Sequence, residues 1–343
     1  MSSRPTIHDV AREAGVSIST VSHVLNGTRP ISIGTTERVR AAVVSLGYEP
    51  NARARQLKAD RSFAIGLVVP DVMNPFFAEV TSGVEEELRR RDVLLALCAT
   101  EAHPSREEYY VQLLRRRRVD GVIFLSGTGL PAAELAALAD RESVVFVDER
   151  VPGVEAPFVG SDNRRGARLV AEHVLSRGHR QVAIVGGPPA LWTAEQRLAG
   201  YREALLSHGI EPDGVPHEAG DYRLDSGRDA ARLLLNGQRN RPTALLVAND
   251  LMAIGAFQEC RALGLAVPDQ VSIAGYDDIP EAAFLTPALT TVRQPAVEMG
   301  RAAARVLLDR IEGRPVQMLT DIPAELIVRE SVTEIHNEEV ASG

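Results

Sequence analysis

Ile18, Ser19, Ser22 and His23 crowd the outward face of a helical pattern that opens at Ser17. One apolar group, two hydroxyls and an imidazole are the kinds of side chain that read base edges in a DNA major groove. Presenting them requires two helices and a tight turn. Thr6 can cap the first helix, and Asp9 three residues on completes a capping-box pattern. Ile7, Val10, Ala11 and Ala14 share one helical face, and Gly15 supplies the turn that ends it. Ser17 caps the second helix, whose Val21, Val24 and Leu25 turn inward. The spacing predicts a helix-turn-helix over residues 6–26, with the start of the second helix placed against base edges. The competing reading is a small helical hairpin that meets no nucleic acid.

From Phe63 the pattern changes. Residues 63–70 form a continuous apolar run, as expected of a strand buried on both faces. Further strands are expected at 93–98, 122–125, 144–147, 182–185, 243–247 and 271–274. Helical spacing is found at 75–91, 106–117, 132–140, 163–177, 196–208, 226–235 and 251–263. Strand–helix alternation of this kind specifies parallel, doubly wound sheets, and two such runs imply two similar α/β lobes. Ligands in such folds sit beyond the carboxyl ends of the strands.

A third helix is expected after Ser32 or Thr35, with Val39, Ala42, Val43 and Leu46 inward and Gly47 at its end. With it the head is complete, and the chain resembles the lactose-repressor (LacI/GalR) family of bacterial transcription regulators. The matching pieces are Asp9-Val-Ala, Ala14-Gly-Val-Ser, Thr20-Val-Ser, Val24-Leu-Asn, Gly47-Tyr, Pro50-Asn and Ala54-Arg-Gln-Leu57, in the family's order and spacing. The resemblance extends over essentially all 343 residues. It implies a three-helix head at 1–50, a hinge helix at 51–60 and a periplasmic-binding-protein type I core at 61–340. Lobe 1 would be about 61–161 plus 293–322, and lobe 2 about 162–292 plus 323–340. The C-terminal tail lacks the leucine heptads of a tetramerising coiled coil, so a homodimer is expected.

By resemblance, Ile18, Ser19 and His23 occupy the base-reading positions. Ile18 offers apolar contact, for example to a thymine methyl. His23 stands where many relatives carry arginine, so a bidentate guanine contact does not carry over. Ser17, Thr20, Ser22 and Asn26, with Thr6, are expected to bond phosphates or cap helices, which sets position and not sequence. Asn51 can cap a short hinge helix in which Arg53, Arg55 and Lys58 supply charge and Ala54 a neighbouring face. So short a helix is not stable alone. Leu57 aligns with the family's leucine wedge, which opens a base step in the minor groove. The alternative is a linker whose Leu57 packs on the core. Two-fold symmetry implies a pseudo-palindromic double-stranded operator.

The effector cleft is expected to gather residues from both lobes. Asn74 and Phe76 or Phe77 follow the first strand, with helix capping and core packing as the competing roles. At the end of another strand, Asp148 can accept from a hydroxyl and Arg150 can donate, against a surface ion pair. Arg197, in Arg-Leu-Ala-Gly-Tyr, matches the family's effector-binding arginine, whose planar fork suits paired oxygens. Trp192, beside Thr193, could stack on a sugar face, and Tyr222 matches an aromatic cleft position. Asn249 reads as an N-cap and, by resemblance, as a ligand contact. Asp277 aligns with the cleft aspartate. Together these groups suit a neutral, hydroxyl-rich effector, a monosaccharide best. A purine base stacked between Phe77 and Tyr222 is the main competitor.

Charge separates the two functions. Net charge is −8, yet residues 1–60 hold eight Lys+Arg against five Asp+Glu, and the remaining 283 hold 30 against 41. The positive charge thus sits where phosphates would be met. Cys98 and Cys260 form neither a disulfide framework nor a metal-ligand pattern and are expected to be buried thiols. The Gly186-Gly187 pair is not a dinucleotide fingerprint, and nucleophile-elbow, P-loop and metal spacings are absent. An enzyme is not expected, nor a cofactor or a metal. A cytoplasmic sugar-binding or sugar-processing protein is the alternative from another class. Without a signal-like segment or a long apolar run, the chain is expected in the cytoplasm at the nucleoid, with no membrane partner.

Overall fold

The computed structural model describes residues 5–26, 29–48, 62–125, 131–140, 143–151, 153–236 and 241–335. The hinge positions Asn51, Arg53, Ala54, Arg55, Leu57 and Lys58 lie outside them. The chain divides into two compact units, residues 1–62 and 63–343.

The first unit contains α1 (Ile7–Ala14), α2 (Ile18–Asn26) and α3 (Ile33–Leu46). The Asp9 carboxylate accepts from the Thr6 N–H at 2.9 Å and the Thr6 hydroxyl at 2.7 Å, which anchors the start of α1. Gly15 (φ 63°) and Gly47 (φ 57°) end α1 and α3 in the left-handed conformation, which glycine adopts without a Cβ clash. Val10, Ala14, Val21, Val39 and Tyr48 are buried in a small shared core.

The second unit holds two parallel sheets. In the six-stranded sheet the order is β11 (Leu319–Ile322), β5 (Phe158–Ser161), β4 (Val144–Val147), β3 (Gly121–Phe124), β1 (Ala64–Val69), β2 (Leu94–Ala99). The four-stranded sheet runs β7 (His217–Ala219), β6 (Val182–Gly186), β8 (Ala244–Val247), β9 (Ser272–Ala274). Both are covered on both faces, which explains the unbroken apolar runs. Along β4, Val145 and Val147 enter one core, while Val144 and Phe146 enter the other with Phe124 and Phe158. Cys98 and Cys260 are both buried.

Helices fill the crossovers: α4 (Pro75–Arg89), α5 (Pro104–Arg116), α6 (Ala132–Ala139), α7 (Asn163–Ser176), α8 (Trp192–Ser207), α9 (Leu224–Leu235), α10 (Asp250–Ala262) and α11 (Ala296–Ile311). Three connections join the sheets. The first leaves β5 for α7, the second links β10 (Thr291–Arg293) to α11, and the third links β11 to β12 (Glu325–Ile327). β10 and β12 pair antiparallel, Val292 opposite Leu326.

Neither the short strands β5, β7 and β10–β12 nor helix α11 is among the elements expected from local pattern. β5 and β11 pair with each other, Gly160 opposite Asp321. A partner so distant along the chain leaves no local periodicity in four residues.

Glycines set the closest helix contacts. A Cβ at Gly83 would run into the Val297 carbonyl oxygen, and one at Gly300 into that of Val80, so α4 and α11 touch backbone to backbone. Gly227 and Gly255 do the same for α9 and α10. Gly300→Ala is expected to cost about 1–3 kcal/mol through overpacking. Urea denaturation measures this, and an unchanged midpoint and slope would show that α4 and α11 separate freely.

Candidate functional site

In the head, Ser17 starts the second helix. Its hydroxyl accepts the Thr20 N–H at 3.1 Å and shares hydrogen bonds with the hydroxyls of Ser19 and Thr20, each at 2.8 Å. Ile18 and Ser19 are exposed on the first turn, Ile18 by 40%, while Ser22 and His23 are half-buried. An exposed isoleucine beside a hydroxyl at a helix start forms a mixed apolar and polar surface. Thr6 is exposed with its hydroxyl turned to Asp9, and Asn26 is the last residue of α2.

In the second unit the carboxyl ends of both sheets open on one cavity of about 260 Å³. Asn74, Phe76, Phe77 and Asp148 come to it from the first sheet, and Thr193, Arg197, Tyr222, Asn249 and Asp277 from the second. Several have double roles. Asn74 caps α4, its Oδ1 accepting the Phe76 N–H at 3.0 Å, and still lines the cavity. Phe76 and Phe77 pack edge to face at 5.3 Å. Asn249 caps α10 through the Met252 N–H at 3.0 Å and donates to the Tyr222 carbonyl at 3.0 Å. Tyr222 is thereby held at φ 67°, a left-handed conformation uncommon for an aromatic residue.

Arg197 and Asp277 form the floor. Both are buried, with 3.4 Å between Nη1 and Oδ1. Arg197 Nε donates to Asn163 Oδ1 at 2.8 Å and Nη1 to the Ala248 carbonyl at 2.6 Å. Its guanidinium lies over the Tyr276 ring, 4.0 Å from the centroid. Asp277 accepts from Gln294 Nε2 at 2.8 Å, and Gln294 in turn accepts from the Ser161 hydroxyl. Asn163 also donates to the Ser161 carbonyl at 3.1 Å. The floor is therefore wired to two of the three connections between the sheets.

Two expected contacts lie elsewhere. Arg150 is exposed and does not line the cavity. Trp192 is half-buried, its ring edge-on to Phe158 at 5.7 Å, and it too is off the cavity wall. Glu149, not among the residues expected from the sequence, lines the cavity and is buried. The cause is local. The Glu149 N–H bonds the Val147 carbonyl at 2.8 Å across Asp148, which sits at φ 66°. That γ-turn breaks the strand alternation that would place 148 and 150 on one side. Asp148 and Glu149 both line the cavity, and Arg150 faces solvent. Glu149 accepts from the Thr193 hydroxyl and, at 3.4 Å, from its N–H, which bridges the two sheets. The Thr193 hydroxyl also lies 3.3 Å from that of Tyr222.

Burial raises the pKa values of these carboxyls. Asp277 is pushed up to about 7, burial outweighing the Arg197 charge and the Gln294 bond. Asp148 is raised by burial against the pull of Arg197. Glu149 is raised by burial and by the neighbouring Asp148. An acid held above its unfolded value near 3.9 makes the folded state bind more protons, so it stabilises at low pH and that stability is lost as pH rises through 7. Between pH 6 and 8 the Asp277 share is on the order of 1 kcal/mol. Denaturation across that range should show stability falling with pH, and a smaller slope in Asp277→Asn. An identical slope in the variant would contradict the assignment.

Residues 6–51 match the lacI family of bacterial regulatory proteins, and residues 171–332 match a periplasmic binding protein-like domain. The ribose operon repressor of Escherichia coli strain K12 is 38% identical over 308 residues, spanning 89% of this chain and 93% of that protein. The HTH-type transcriptional repressor PurR of Photobacterium profundum is 34% identical over 336 residues, 96% of this chain and 99% of that protein. The crystal structure of the lac repressor dimer bound to operator and the anti-inducer ONPF is similar with a TM-score of 0.84 at 28% identity, covering 96% of this chain and 100% of that one. A helix-turn-helix ahead of two parallel α/β sheets, matched by relatives over nearly their whole length, settles the descent: this chain belongs to the lacI family of bacterial regulatory proteins and is a transcriptional regulator.

Proposed function

We propose that this regulator is a homodimeric repressor that grips a pseudo-palindromic operator and is controlled by a sugar bound in the cavity between its two sheets. The observation that carries this reading is the Asp148 Oδ1 atom, which is buried in the cavity wall and has no hydrogen-bond partner among the described residues. A buried acceptor left unmatched costs about 1–3 kcal/mol, which a ligand hydroxyl would recover. Asp277 and Asn249 add acceptors, and Phe77 and Tyr222 add apolar faces. The cavity is somewhat smaller than the roughly 300–1,000 Å³ usual for ligand pockets, which suits a single ring. Arg197, already engaged, leaves little for a phosphate. A purine base is the second reading, favoured because Phe77 and Tyr222 line the same cavity.

In this reading residues 1–50 are the head, 51–60 the hinge and 61–340 the core. Ile18, Ser19 and His23 face bases, while Thr6, Ser17, Thr20, Ser22 and Asn26 meet phosphates or cap. Asn51, Arg53, Ala54, Arg55 and Lys58 carry the hinge into the minor groove, with Leu57 as its wedge. Sugar binding shifts the balance between two dimer forms, for which a coupling of about 1–3 kcal/mol suffices. The protein acts at the nucleoid in the cytoplasm and has no catalytic role. Among the described residues no helix is long and apolar enough to cross a membrane.

Two measurements test it. A monosaccharide at ~100 times its dissociation constant should stabilise the full chain by roughly 2.7 kcal/mol. Asp148→Ala should abolish that shift, at some cost to the ligand-free protein because alanine accepts a φ of 66° less readily than aspartate. A shift with purine bases alone would replace the sugar with a base and leave the DNA-binding role standing. For the head, His23→Ala should reduce discrimination between operator and scrambled duplex by about 0.5–1.5 kcal/mol, the worth of one hydrogen bond, while leaving the salt dependence nearly unchanged. Equal binding of both duplexes by the unaltered protein would sink the repressor reading.

A further inference from the structure

We infer that the effector carries one positive charge, so that the cavity takes an amine-bearing sugar in preference to a plain polyol. The inference rests on the sugar-binding role proposed above and concerns which sugars qualify.

Charge balance in the buried wall points to it. Arg197 is the buried cation among the described lining residues, and three buried carboxyls share its charge: Asp277 at 3.4 Å, Asp148 and Glu149. Asp148 and Glu149 are adjacent and both buried, and neither makes a close ion pair among the described residues. Glu149 is held by the neutral donors of Thr193. Asp148 has an oxygen with no partner among the described residues. Two adjacent buried carboxyls repel one another, so full ionisation of both is unfavourable without a second cation nearby. Beside Arg197, a single ammonium would let Asp277 and one carboxyl of this pair ionise together, which closes the balance.

A hydroxyl-only ligand would give Asp148 a hydrogen bond and leave the charge uncompensated in a place poorly reached by water. An ammonium gives Asp148 a charge-assisted bond and has further N–H groups for Glu149. The aromatic walls at Phe77 and Tyr222 also favour a cation. The mouth points the same way. Arg223 there is exposed and donates to the Glu101 carbonyl at 3.4 Å, while Asp71 and Asp221 accept from backbone N–H groups. The rim thus adds two acids against one arginine.

The test compares ligands that differ only by an amine for a hydroxyl. Glucosamine with glucose, galactosamine with galactose, and the fragments serinol with glycerol are titrated calorimetrically into the full chain at neutral pH. The amine of at least one sugar pair should bind about tenfold tighter or more, and serinol should outcompete glycerol. Asp148→Asn should erase the preference, the amine and its hydroxyl counterpart then binding equally. Glu149→Gln, which keeps the shape, should reduce it several-fold and serves if Asp148→Asn fails to fold. Neutral sugars binding as well as their amines would overturn the charge assignment and leave the sugar-controlled repressor standing. Binding of serinol but of no sugar would keep the charge assignment and remove the sugar. No binding by any compound would overturn both.

Discussion

A buried guanidinium must have its donors met, because an unpaired charge in a dry site costs several kcal/mol. Arg197 meets that demand by gathering the start of α7 through Asn163, the end of β8 through Ala248 and the segment after β9 through Asp277. Each partner is the last or first residue of its element or lies just beyond it. One side chain therefore fixes the start of one element and the ends of two others, and the cavity is the space these ends enclose. Asp277 and Asn163 pass the constraint on to Gln294 and Ser161, which belong to the connections between the sheets. Site and connections are thus parts of one hydrogen-bonded network.

Asp250 ties the same region from another side. It is fully buried, accepts from the Thr291 hydroxyl at 2.6 Å and from the Ile279 N–H at 3.0 Å, and its pKa is raised well above the usual carboxylate range by burial. Thr291 opens β10, so the start of α10 is bound to the second connection. Asn249, one residue earlier, faces the cavity. Neighbouring residues thus divide the work, one facing the cavity and the other holding the joint beneath it.

Much of this was legible in the sequence, for identifiable reasons. Runs such as 63–70 and 144–147 are apolar on both faces, and two covered sheets are what such runs require. Thr6, Gly15 and Ser17 carry local signals that do not depend on distant partners, so the head could be placed by spacing. Arg197 and Asp277 were reachable only through family resemblance, since nothing in their neighbours announces a cavity. Glu149 was missed because a single left-handed residue, Asp148, reverses the alternation of a strand end, and aspartate is one of the few residues that accept such a φ. Trp192 was misplaced because a lone tryptophan invites a stacking role, whereas Phe158 offered it an aromatic neighbour from the other sheet. The short strand β11 is a strand only because β5, far away in sequence, pairs with it.

The small antiparallel pair β10–β12 and the connection from β5 to α7 have a mechanical meaning. Three short tethers between two stiff bodies resist sliding and twisting more than they resist bending about the line through them. Helix pairs whose backbones touch at glycines keep each body stiff. The soft coordinate is then a single rotation, like that of a door. Displacement under such a rotation grows with distance from the pivot. β1 runs toward the cavity, so Ala64 lies at its remote end, roughly 3.3 Å farther away per residue. The chain enters the core at the long end of a lever, where a small closing of the cavity is magnified.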